Sequence, residues 1–87
     1  MFLHVVHFWL KPELPAGDHG RFAQALHRLA ESPNVSRVRV GRPAGTPRAV
    51  VDNSYSYQLV VEFADQAAHD RYQSPDDAAH QAFVDGY

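Results

Sequence analysis

A chain of 87 residues with a net charge of −2, 45% hydrophobic and 21% charged, makes one folded domain over residues 1–87 and excludes wholesale disorder. Cysteine is absent, which removes disulfides and thiolate metal sites, and no basic run exceeds two residues, which argues against a nucleic-acid partner because phosphate binding needs clustered Lys and Arg. A domain this short buries only about 60% of its unfolded surface, so association with a second copy is the expected route to stability.

Phe2 to Leu10 is rich in β-branched and aromatic residues and is ended by Lys11-Pro12, which predicts a strand. Both faces are largely apolar: Phe2, His4, Val6, Phe8 and Leu10 on one, Leu3, Val5, His7 and Trp9 on the other. Such a strand is usually covered on both sides, and in so small a chain the second cover is expected from another subunit. The stretch is too short to span a bilayer and follows no basic segment, so no membrane association is expected and a cytoplasmic location is. On that basis Asn34-Val35-Ser36, which fits the glycosylation pattern, reads as a chance match.

Pro15 to Asp18 reads as a turn with Asp18 as N-cap, and Phe22, Ala25, Leu26 and Leu29 then recur at helical spacing until Ser32-Pro33. Val35 to Val40 predicts a second strand, with Val38 and Val40 on one face and Arg37 and Arg39 on the other. Gly41 to Ser54, with two glycines and two prolines, is a long connection. Tyr55 to Phe63 predicts the third strand, Tyr55, Tyr57, Leu59, Val61 and Phe63 facing one way and Ser56, Gln58, Val60 and Glu62 the other. Glu62 then faces Arg37 and Arg39, and a cross-strand ion pair is preferred to an anion site there. Asp65 caps a short helix to Tyr72, and Ser74-Pro75-Asp76-Asp77 leads into a last helix over roughly Ala78 to Asp85. The order β, α, β, β, α, α is a ferredoxin-like α+β unit whose final strand is missing, an antiparallel sheet with helices on one face.

His4-Val5-Val6-His7-Phe8-Trp9-Leu10-Lys11, Val38-Arg39-Val40-Gly41-Arg42, Tyr55 to Phe63, and Tyr72 followed by Ala79-His80-Gln81-Ala82-Phe83-Val84 together resemble the stress-responsive A/B barrel (Dabb) family. The resemblance implies a dimeric α+β barrel, two sheets packed face to face as a homodimer with helices outside. The chain is more distantly similar to a plant member, olivetolic acid cyclase, which closes a linear polyketide by an aldol step. By that match His4, His80 and Tyr72 are the candidate catalytic residues, while the position of a further tyrosine falls at about Ala25. Two departures stand out. The first His of a His-Pro-x-His element is absent, with two extra residues between Tyr72 and His80. Family members also continue into a fourth strand, so either further chain beyond Tyr87 or another chain's strand is expected to cover the first strand's edge.

Placing the apolar faces of the first and third strands beneath the helices brings His4 near Tyr57, with His80 and Phe83 above them. A histidine titrating near neutrality can accept a proton and a tyrosine can donate one to a developing oxyanion, which suits proton abstraction beside a carbonyl. Val6, Phe22, Leu26, Tyr57, Leu59 and Phe83 would line a pocket for a small apolar or carbonyl-bearing molecule. The plainer alternative is a non-catalytic, stress-associated dimerisation module in which His4 is a hydrogen-bonded core residue and Tyr57 and Tyr72 are core aromatics. His4 and His7 point to opposite faces and His19 and His27 are too far apart to chelate, so no metal and no cofactor is expected. No Ser lies in a nucleophile elbow, and Gly41-Arg42-Pro43-Ala44-Gly45 lacks the Lys-Ser/Thr of a phosphate loop.

Overall fold

The computed structural model describes residues 1–87: β1 (Phe2–Phe8), α1 (Ala16–His27), a 3₁₀ turn (Arg28–Glu31), β2 (Arg37–Gly41), β3 (Tyr57–Phe63), α2 (Gln66–Gln73) and α3 (Ala78–Gly86). The three strands form one antiparallel sheet in the order β1-β3-β2, with β3 central. Strands β1 and β2, joined through α1, are therefore parallel with β3 inserted between them, the split βαβ arrangement of ferredoxin-like domains. No helix is long and apolar enough to cross a membrane.

The register keeps side-chain parity across the sheet. Phe2, His4, Val6 and Phe8 stand opposite Phe63, Val61, Leu59 and Tyr57, and Val38 and Val40 stand opposite Val61 and Leu59. This face is covered by the helices. The core comprises Tyr57, Leu59, Val61 and Phe63 from β3, Phe22 and Leu26 from α1, Leu29 from the 3₁₀ turn, and Ala68 and Tyr72 from α2. Val6, Phe8, Val38 and Val40 pack against it half-buried because β1 and β2 flank the central strand. Fully burying one such aliphatic side chain contributes about 1.5–3 kcal/mol. On the other face Leu3, Val5 and Trp9 are about half exposed, and Glu62 Oε2 lies 3.3 Å from Arg39 Nε and 3.9 Å from Arg37 Nε, the anticipated cross-strand pairing.

Element ends depart from the sequence expectation for local reasons. β1 stops at Phe8 because Leu10 N–H donates to the Ser56 hydroxyl (2.9 Å) and Trp9 Nε1–H to Ser54 Oγ (2.9 Å), which draws the chain off the ladder. Asp18 is not the N-cap of α1. Pro15 precedes the helix, its carbonyl accepting from Asp18 N–H (2.9 Å), while the Asp18 side chain pairs with Arg21. β2 starts at Arg37 because Val35 N–H is taken up by the Ser32 carbonyl (3.2 Å). Both anticipated acidic caps form: Asp65 Oδ1 accepts from Ala68 N–H (2.9 Å) and Asp77 Oδ1 from His80 N–H (3.0 Å).

Candidate functional site

Three elements bring imidazoles and a phenol to one end of the helix-covered sheet face. β1 places His4 opposite Val61. α2, oriented by its Asp65 cap, places His69 above it with ring centroids 5.4 Å apart, and packs the same ring 4.8 Å from Phe2 and 5.3 Å from Phe63. Tyr72, one turn after Ala68, is buried against Phe63 at 5.1 Å. α3 then sets His80 on Tyr72 at 4.3 Å. The candidate catalytic trio His4, His80 and Tyr72 is thus gathered with a fourth member, His69.

The electrostatics of this cluster have identifiable causes. Desolvation, followed by the nearby His69 and His80, lowers the pKa of His4, so its neutral, proton-accepting form dominates at neutral pH. Burial, with Asp77 adding to it, raises the Tyr72 phenol to about 12, so it keeps its proton as a donor. Asp77 is buried where desolvation alone would raise its pKa. The His80 amide, the Ser32 hydroxyl and the Asn34 amide outweigh that and hold it below its usual value. Asn34 donates to Asp77 (2.9 Å) and accepts from Arg71 (3.1 Å), so both ends of its amide are engaged. The arrangement supplies a proton acceptor and a proton donor without a built cation site, since no group of three His, Asp or Glu side chains is placed to hold a metal.

His4 does not approach Tyr57. Tyr57 stands opposite Phe8, four residues along β1 from His4, or roughly 13 Å at strand rise. It packs instead with Phe22 at 6.0 Å and lies beneath Arg42. α3 bridges the two ends: His80 belongs to the histidine cluster, while Phe83 packs on Phe8 and Phe22 at 6.2 and 5.9 Å. Val6, Leu26 and Leu59 fill the space between, as core rather than as cavity walls. None of the three surface concavities is lined by His4, His80 or Tyr72. Of the six anticipated pocket residues, only Phe83 and Tyr57 border any concavity, one of about 390 Å³ between α1 and α3 and one of about 450 Å³ at the start of α1.

His69 is the one member of the cluster that the sequence analysis does not name. A signal was present: positions 65, 68, 69 and 72 recur at helical spacing, so the face carrying Ala68 and Tyr72 also carries His69.

No curated protein matches the chain. The sequence profile of the Stress responsive A/B Barrel Domain matches residues 2–87, from the first residue of β1 through the end of α3. That span takes in the split βαβ sheet, both capped helices and the histidine cluster, and the chain accordingly belongs to the stress responsive A/B barrel (Dabb) family.

Proposed function

We propose that this domain acts as a cytoplasmic homodimer whose subunits each offer the His4–His69–His80–Tyr72 cluster to a small apolar or carbonyl-bearing molecule, with polyketide-cyclase-like acid–base chemistry. The observation that carries the reading is the convergence of a desolvated, neutral imidazole at His4 with the proton-retaining phenol of Tyr72 on one patch. His4 would take the proton next to the carbonyl, and Tyr72 and His80 would supply donors to the oxyanion that forms. The homodimer is supported by the apolar sheet face that no helix of the chain covers.

A second reading, a non-catalytic stress-associated dimerisation module, is favoured by the filled core between Val6, Leu26 and Leu59 and by the lack of a concavity at His4 and His80. His4→Ala and His80→Ala separate the two. Under the ligand-binding reading each weakens binding of small β-keto or aromatic carbonyl compounds by about tenfold or more and leaves the fold intact. Loss of about 1–3 kcal/mol of stability, with no compound of the panel bound by the unaltered protein, would sink that reading in favour of the second.

A further inference from the structure

A second cluster of polar side chains lies at the opposite end of the sheet, away from the histidine cluster. β2 ends at Gly41, paired with Gln58, and Arg42 leaves the sheet beside Tyr57, its guanidinium carbon 5.9 Å from the centre of the phenol ring. The first turn of α1 closes the other side. His19 lies with its ring 6.5 Å from that of Tyr57, and the Tyr57 hydroxyl reaches the His19 carbonyl at 3.4 Å. Between them is a cleft of about 450 Å³ lined by Leu14, Ala16, His19, Gly20, Arg42 and Tyr57, within the ordinary size range of small-molecule sites.

Charge decides what fits there. No carboxylate lines the cleft. The carboxylate next in sequence to His19 is that of Asp18, and it is already paired with Arg21. The other ion pairs of the chain use Arg37, Arg39 and His69, leaving Arg42 with no acidic partner. A guanidinium resting on an aromatic face keeps its planar fork of N–H donors free for bidentate contact with an oxyanion. His19 adds a ring N–H, and Leu14 and Ala16 provide an apolar bed beside the Arg42-covered Tyr57 ring.

We propose that this cleft binds a small aromatic carboxylate, its carboxylate held by Arg42 and His19 and its ring lying against Leu14 and Ala16. The site is independent of the histidine cluster and shares no residue with it.

Titrating the isotopically labelled full chain with benzoate, benzamide and inorganic phosphate, followed by NMR, tests the assignment. Benzoate is expected to move the Gly20 and Arg42 amides and the Tyr57 ring signals saturably, while the His4 and His69 ring signals stay still. Neutral benzamide should bind at least about tenfold more weakly, since it lacks the charge that Arg42 reads. Arg42 is exposed, so Arg42→Gln keeps the fold and is expected to cost benzoate about tenfold or more in affinity, with Arg42→Lys restoring part of it. Equal affinity for benzoate and benzamide, or unchanged benzoate binding in Arg42→Gln, would overturn the site. Phosphate binding as tightly as benzoate would overturn the ligand class.

Discussion

His4 loses hydration at the sheet surface and sits beside two other imidazoles, so the folded chain binds its proton more weakly than the unfolded chain does. The unfolded state therefore takes up more protons between the lowered folded value and the ordinary value of 6.5, and stability must rise with pH across that window. The His4 contribution is complete above about pH 6.5 and is lost as pH falls through the folded value. Asp77, also lowered, acts in a window that begins lower, below its ordinary value of 3.8. The melting temperature is expected to drop as pH is taken from about 6.5 to 5, and His4→Gln is expected to flatten that drop. Identical pH profiles for the two proteins would show that His4 is not desolvated as described.

At the scale of elements, α3 is nine residues long, too short to persist without outside support. Asp77 provides much of that support. It caps α3 through the His80 amide and accepts from Ser32 and Asn34, which tie the helix to the turn between α1 and β2. Asp77→Ala removes a cap and strands the buried Ser32 hydroxyl and the half-buried Asn34 amide, and is expected to cost about 2 kcal/mol or more in urea unfolding, with Asp77→Asn costing less. A loss below about 0.5 kcal/mol for the alanine variant would mean that the tie does not hold α3. The cap itself was legible, because Asp before an amphipathic run has a local meaning. Its second role was not, since Ser32 and Asn34 lie more than forty positions away in sequence.

The same divide between local and long-range information runs through the rest of the fold. Strand parity could be read from alternation alone, and every residue paired within β1, β2 and β3 lies on its anticipated face, whereas Tyr55, anticipated beside Tyr57, falls before β3 and packs on His7 of the opposite face with ring centroids 4.9 Å apart. Register along the strands could not, because it depends on how the 42–56 connection closes, and so Tyr57 met Phe8 rather than His4. Strand ends likewise depended on remote hydroxyls such as Ser56 meeting Leu10.

The whole molecule is a slab, its Cα envelope 38 × 29 × 15 Å, with a radius of gyration of 14.1 Å. A compact chain of this length would measure about 12 Å. Helices cover one side of the sheet, while Leu3, Val5, Trp9 and Val60 remain on the other, a shape suited to pairing with a second sheet. Light scattering at micromolar concentration is expected to give twice the 9.8 kDa chain mass, with Trp9 emission shifted to the blue. A mass of 9.8 kDa with Trp9 emitting as in water would count against the homodimer. The proposed ligand site has a more direct test in the histidine ring signals, followed by NMR while small β-keto and aromatic carbonyl compounds are added. At least one compound is expected to move His4, His69 and His80 together and saturably, one site per chain, while His7 and His27 stay in place; no movement of those three rings with any compound would rule out a ligand at the cluster.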